Sequence, residues 1–449
     1  MTYRSRFTLT ALTLVAASAF APVAQASGFQ LREQSASAQG NGFAGVSATG
    51  SDISVAFFNP ALLTQFSGWQ FSGGITQVAA KAEFSDGVAT RFDGSVISGA
   101  TSHKNIAPAG LVPNLTMMYS VSDDLKLGFG INAPFGLPTE YDSTWAGRYH
   151  ALKTDLKVID LAPTIAYRFN TQWSMGLSAV ARRSEATLSN AVDFGLLAGL
   201  TPGSQDGKAT VTGKTWSYGF RAGLTFQPTD ALRFGLAYQG SQKPKVKGTV
   251  DFEYPSTLTG AALATVQARG FKDGAASAEV TLPATYSLGF NYDVSPAFSI
   301  QGEIARSTWS SFEELIVKFE DNTAPQATQT VTQEHWKNTT FLSLGFIWKT
   351  SDAWTLKAGL SHDDGAVTDA YRTPRIPDNN RTWVSMGVGY NFSKATRVDV
   401  AYSHLFIPDQ QVNLHTASVS TDENFTRGNL SGKFKSEINI LGVSLSHKF

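Results

Sequence analysis

A chain of 449 residues with 36 basic and 36 acidic side chains carries no net charge to draw it onto nucleic acid or a polybasic clamp. It has no cysteine, which removes disulfide frameworks and thiolate metal sites, and its seven histidines show no paired-ligand spacing, so no metal or other cofactor is expected. Forty glycines and 12% aromatic residues suit a β-rich chain.

The first 26 residues have the order of a secretory signal: Arg4 and Arg6, an apolar run from Phe7 to Ala17, then Ala24-Gln25-Ala26. Cleavage is expected after Ala26. Beyond it no uninterrupted apolar run approaches the roughly 20 residues of a transmembrane helix. Residues 27–68 lack strand alternation and form a separate unit. Within them Asn59-Pro60-Ala61 suits a helix start, with Asn as N-cap and Pro at the first helical position. The motif Gly40-Asn41-Gly42-Phe43-Ala44-Gly45 spells a dinucleotide fingerprint, but no strand precedes it and no acid follows about 20 residues on. This unit is expected to be a small helical hatch.

From residue 69 to 449 the chain alternates with period two. In Trp383–Phe392 one face is Val384, Met386, Val388, Tyr390 and Phe392, and the other is Ser385, Gly387, Gly389 and Asn391. A face so small and polar cannot be a protein core. Six tight polar connections recur, at 122–124, 170–172, 228–230, 294–296, 350–352 and 393–395, most with aromatics on both sides. Between them lie long polar excursions at 184–214, 243–278, 313–336 and 405–433. Short turns on one side, long loops on the other and an aromatic girdle match an outer-membrane barrel rather than a soluble sandwich. With one more strand at each end, near 69–84 and 434–449, the expectation is an all-β, fourteen-stranded antiparallel transmembrane β-barrel whose lumen is plugged by the hatch. Phe449 is either a girdle aromatic or a signal to the barrel-assembly machinery.

Three further features bear on function. Pro108 and Pro113 lie beside or within the second strand, and Pro134, Gly136 and Pro138 interrupt the third. Proline removes a ladder donor, so either these strands end early or the wall is kinked, and a kink would let an apolar solute leave sideways. Phe194, Leu196, Leu197 and Leu200 in one loop, with Leu258, Leu263 and Val266 in another, put apolar surface where water is expected. Either the loops pack on each other or they capture a hydrophobic ligand. Charges on inward-facing positions, among them Lys126, Arg168, Arg182, Arg221, Glu303, Lys357, Arg397 and Asp399, are of both signs, which weakens the case for an ion-selective pore.

Catalytic signals are sparse. Gly213-Lys214-Thr215 lacks the upstream glycine of a phosphate loop, and no Gly-x-Ser-x-Gly elbow is present. A lipid-cleaving barrel enzyme would have to use His404 or His447, and no catalytic residue is assigned.

The marks Gly28-Phe29-Gln30-Leu31, Asn59-Pro60-Ala61-Leu62, Asn105-Ile106-Ala107-Pro108, Val112-Pro113-Asn114 and Ile376-Pro377-Asp378 together resemble the FadL family of outer-membrane long-chain fatty-acid transporters. The resemblance covers essentially the whole mature chain. It implies an N-terminal hatch, a greasy capture groove among the loops, an inner pocket and lateral exit through a kinked third strand. On this resemblance Phe29, Asn59, Pro60 and Asp363 belong to the gate and hatch, and Pro134, Gly136 and Gly223 to the lateral opening. The family's basic carboxylate partners fall here at Leu188 and Thr332, which leaves Arg182, Arg183 and Lys337 as candidate replacements. Relatives that carry monoaromatic hydrocarbons need no such partner. The expected partners are a hydrophobic small molecule, outer-membrane lipids and the assembly machinery, with the protein a monomer.

Overall fold

The computed structural model describes residues 27–320, 328–417 and 422–449; the expected signal segment lies outside the described residues. In chain order the strands are β1 (Trp69–Thr90), β2 (Gly110–Ser120), β3 (Leu125–Glu140), β4 (Lys153–Arg168), β5 (Trp173–Asp193), β6 (Asp206–Thr229), β7 (Leu232–Gln239), β8 (Lys245–Glu253), β9 (Gly274–Glu279), β10 (Thr285–Ser295), β11 (Phe298–Ser307), β12 (Glu314–Phe319), β13 (Gln329–Gln333), β14 (Thr339–Lys349), β15 (Trp354–Asp363), β16 (Arg381–Asn391), β17 (Thr396–Phe406), β18 (Gln410–Leu414) and β19 (Asn429–Lys448). Three short helices accompany them: α1 (Ala36–Gln39), α2 (Phe194–Ala198) and α3 (Gly260–Ala268).

Fourteen of these strands form a closed antiparallel barrel, as the alternation requires. The wall runs β1–β7, β10, β11, β14–β17 and β19, and closes where β19 pairs with β1 from Thr90–Asn429 to Gln70–Lys448. The remaining strands, β8, β9, β12, β13 and β18, build on the long-loop side. Closure pairs every strand on both edges, which is the condition for a sheet to sit in hydrocarbon. The six short connections join β2–β3, β4–β5, β6–β7, β10–β11, β14–β15 and β16–β17, and Trp69 meets Tyr119 and Phe449 at the same rim. Faces sort as the sequence alternates: Val384, Met386 and Val388 are exposed on the outside of β16 while Ser385 is buried inside.

Two expectations need revision. The 184–214 excursion is not a loop: β5 and β6 continue as a paired hairpin out to Asp193–Asp206, because Thr, Ser and Ala at alternate places satisfy a ladder as well as Leu does. The hatch carries little α-helix. Asn59 caps as expected, accepting from the Ala61 amide at 2.9 Å with Pro60 next, but the turn it opens, Pro60–Gln65, is 3₁₀.

Residues 27–68 fill the lumen, and the inward glycines of the wall explain how. Gly40 of the hatch lies against Gly387 of β16 so closely that a Cβ on either would come within 2.9 Å of the other's Cα. The inward charges pair among themselves and with this plug. Lys357 donates to Ser37 O at 2.9 Å and to Asp399 at 3.2 Å, Arg397 completes that cluster at 2.7 Å, and Glu303 accepts from the Ser47 amide at 3.1 Å.

Gly387→Val should therefore push the hatch off the wall. The expected outcome is a barrel that still shows heat-modifiable migration in gels, a loss of about 1–3 kcal/mol in unfolding free energy and faster protease cleavage within 27–68.

Candidate functional site

The wall is discontinuous at one seam. β2 and β3 pair only from Ser120–Lys126 to Leu115–Ile131, and β3 then bulges between Asn132 and Phe135 while staying on β4 as far as Glu140–Lys153. The sequence left open whether the strands end early or the wall kinks; β3 continues, but kinked and detached from β2. Pro134 and Pro138, which lack an amide donor, fall in the detached stretch.

The backbone groups this leaves unpaired are taken up by the hatch. Leu31 N donates to Pro134 O at 2.7 Å, and Gly136 N donates to Phe29 O at 3.0 Å. Gln34 serves both groups of Ala133, donating to its carbonyl at 2.7 Å and accepting from its amide at 3.0 Å. Above this patch Ile106 bridges the gap, donating to Ala82 O and accepting from Glu140 N, each at 2.9 Å. The N-terminal end is itself anchored: Asp363 accepts from Ser27 N and Asp378 from Gly28 N, both at 3.1 Å.

Phe29 joins this seam to a cavity. Its ring sits among Trp309 at 4.8 Å, Trp336 at 5.6 Å, Phe135 at 5.9 Å and Phe312 at 6.2 Å. It also lines a chamber of about 930 Å³ on the long-loop side, walled by side chains such as Leu137, Leu156, Val158, Leu188, Val246 and Leu282.

Two of the charged residues at this chamber, Arg375 and Glu334, come from the loops, and Asp155 comes from β4. Arg375 donates to the Lys153 and Ser189 carbonyls at 3.0 and 3.1 Å, and to Thr154 and Asn190 side chains, so among the described residues its bonds go to neutral oxygens. Burial pushes its pKa down to about 10, which leaves it charged at neutral pH. Glu334, nearly inaccessible, accepts from Trp336 Nε1 at 2.8 Å, and burial pushes its carboxyl up to about 8 despite Arg375 and Arg427 nearby. The arrangement is a mainly apolar chamber whose charged lining residues are Arg375, Asp155, which is paired with Lys157 at 3.2 Å, and Glu334, whose carboxyl holds its proton at neutral pH.

Sequence-assigned residues fall into distinct places. Phe29, Pro134 and Gly136 meet at the seam. Asn59 is buried and donates to the carbonyls of Ser47 and Leu224 at 2.6 and 3.2 Å; Gly223 is the wall residue that gives it and Pro60 room, so it faces the hatch. Phe194, Leu258 and Val266 are buried in a cluster where α2 meets α3, so the loops do pack on each other; Leu196, Leu197 and Leu263 are half-buried and Leu200 is exposed. Arg183 points outward to Glu185 and the Trp216 ring, and Lys337 is exposed; neither lines the chamber. Arg182 is buried on Asp160 below it. Arg375, Glu334 and Gln34 were not singled out from sequence. His404 and His447 bond Asn439 and Thr396, and neither bonds a serine hydroxyl among the described residues.

The chain matches a family model described as outer membrane protein transport protein (OMPP1/FadL/TodX) over residues 17–449. It is 29% identical over 426 residues to a long-chain fatty acid transport protein of Salmonella typhi, covering 92% of this chain and 95% of that one. Its fold is similar to a Pseudomonas aeruginosa FadL homologue, with a TM-score of 0.85 at 23% identity over 94% of this chain and all of the other. It is also similar to the Ralstonia pickettii toluene transporter TbuX, with a TM-score of 0.66 at 18% identity, covering 94% of this chain and 99% of that one.

Phe29→Ala removes the ring at the centre of the aromatic cluster. The Leu31 and Gly136 amides should then exchange with solvent at least about tenfold faster, while wall amides of β14–β16 keep their protection, as read by hydrogen exchange.

Proposed function

The chain belongs to the outer membrane protein transport family (OMPP1/FadL/TodX), whose barrels carry hydrophobic compounds across the outer membrane, and from that membership we propose that its own cargo is a long-chain fatty acid. The observation that carries this choice is Arg375: a guanidinium bonded, among the described residues, to neutral oxygens, at a chamber walled mainly by aliphatic and aromatic side chains. A carboxylate head group meets that cation, and the alkyl tail lies against the apolar walls. A monoaromatic hydrocarbon, the second reading, is supported by the likeness to toluene transporters but leaves the cation without a use.

In the mechanism that follows, half-buried and exposed Leu196, Leu197, Leu200 and Leu263 offer the outer contact, and the ligand passes to the chamber. A tail that displaces Phe29 loosens its backbone bond to Gly136, and the unpaired edge of β3 opens the path between β2 and β3 into lipid. No energy source is needed for such movement down a gradient. The protein acts as a monomer, inserted by the assembly machinery and surrounded by outer-membrane lipids, and no catalytic step enters.

Expression in a host lacking its own uptake protein should restore growth on oleate; restored toluene entry without oleate entry would overturn the choice. Arg375→Gln should weaken oleate binding about 10- to 100-fold, read by equilibrium binding, and leave the alcohol of equal chain length nearly unaffected. Glu334 has Arg375, Arg427, Glu423 and the Trp336 ring around it. Below its pKa of about 8 it is neutral and leaves the Arg375 charge to the ligand; above it the new carboxylate competes. Oleate affinity should fall as pH rises through about 8, and Glu334→Gln should remove that step.

A further inference from the structure

One level below the chamber floor, three wall strands bring together a buried cluster with more positive than negative charge. Asp160 of β4 receives Arg182 of β5 in a bidentate pair, Nε to Oδ1 at 2.7 Å and Nη2 to Oδ2 at 2.9 Å, and also receives Nη2 of Arg221 from β6. All three side chains are at most 2% exposed. Neither guanidinium is paired with another carboxylate among the described residues, so one carboxylate balances two cations. Burying a surplus charge is costly unless a counter-charge arrives. Arg182 Nη1 is buried with no hydrogen-bond partner, and so is the side-chain nitrogen of Asn132, the residue across the ladder from Asp160.

The cluster's position separates two spaces. Along β4, Val158 lines the chamber, Asp160 carries the cluster, and Ala162 and Thr164 line a second, small cavity with room for about one water molecule in this closed state; along β5 the same order is Ser184, Arg182 and Ser178. The lower cavity also takes in Arg221 and Asn132, and it touches Thr116 and Gly130, a paired couple at the upper end of the β2–β3 seam. The Arg182 guanidinium lies 4.8 Å from the ring centre of Phe135 in the kink, and Arg221 lies 4.4 Å from that of Phe57 in the hatch. A donor-rich, positively charged pocket thus stands at the lower lip of the gap, between the chamber and the lipid.

We propose that the lower cavity, lined by Arg221 and Asn132 and backed by Arg182, is a second carboxylate station, which widens as the hatch residues Phe57 and Leu63 shift and then receives the acid head group after it leaves the chamber while the tail enters the gap between β2 and β3. The station rests on the fatty-acid reading above. It supplies charge-assisted bonds to a head group that would otherwise pass an apolar gap unsolvated, and it confines selectivity for the acid to the exit as well as the chamber.

The test is uptake of a long-chain acid and of the primary alcohol of equal length in cells carrying the full chain, with binding stoichiometry measured on purified protein. Arg221→Gln leaves Asp160 held by Arg182 with charges balanced, so the barrel should keep its heat-modifiable migration. Acid uptake should fall at least about tenfold with alcohol uptake unchanged, and bound acid should drop from two per chain to one, the remaining one sensitive to Arg375→Gln. Asp160→Asn, which increases the surplus, should instead hold the acid more tightly and slow its release. Equal losses of acid and alcohol in Arg221→Gln, or no loss of either, overturn the station. Absence of acid uptake by the wild-type chain overturns the fatty-acid reading, and the station with it.

Discussion

A backbone amide or carbonyl in hydrocarbon has no water to bond, and the rest of this structure follows from how that demand is met. Thirteen seams meet it by strand pairing. The seam between β2 and β3 meets it so only below Leu115–Ile131, and the unpaired groups above, at Ala133, Pro134 and Gly136, are bonded instead by Gln34, Leu31 and Phe29 of the hatch. The hatch is therefore a sealing element of the wall as well as a plug. Proline at 134 and 138 makes the arrangement cheaper, since it lowers the number of donors that need a partner.

The same demand explains the distribution of glycine and charge. Inward positions that look too small and polar for a core are small because hatch backbone must come close, as at Gly387 and Gly223. They are polar because the hatch brings its own polar groups into a lumen shielded from lipid, where Lys357, Asp399 and Glu303 find partners on residues 37, 397 and 47.

What could be read from sequence follows from what is local. Strand alternation and the six turns are properties of neighbouring residues, so the fourteen-stranded wall was legible from Trp69 to Phe449. The marks at 105–108 and 376–378 were visible as patterns, but their work was not: Ile106 spans β1 and β3, and Asp378 holds Gly28, across hundreds of residues in the second case. Arg375 was not legible because it stands in a loop far in sequence from Leu188 and Thr332, where the family resemblance put the basic positions. Leu188 lines the chamber beside Arg375, and Thr332 accepts from Arg427 at 3.2 Å. A loop that folds back over the barrel can deliver a charge to a place its sequence position does not suggest. Phe194 and Val266 illustrate the converse, since these apolar loop residues hold α2 against α3.

Phe29 has its ring in the chamber and its carbonyl on the kinked strand, so two events share one residue. Whatever occupies the ring's place competes with the seal, and the occupant's apparent affinity is lowered by the free energy of the bonds it breaks, about 1 kcal/mol for each. By reciprocity, tightening those bonds lowers occupancy by the same factor. On the proposed route, an empty chamber and a closed wall are then one thermodynamic state, and permeability to unbound solutes is suppressed for as long as the pocket has no guest.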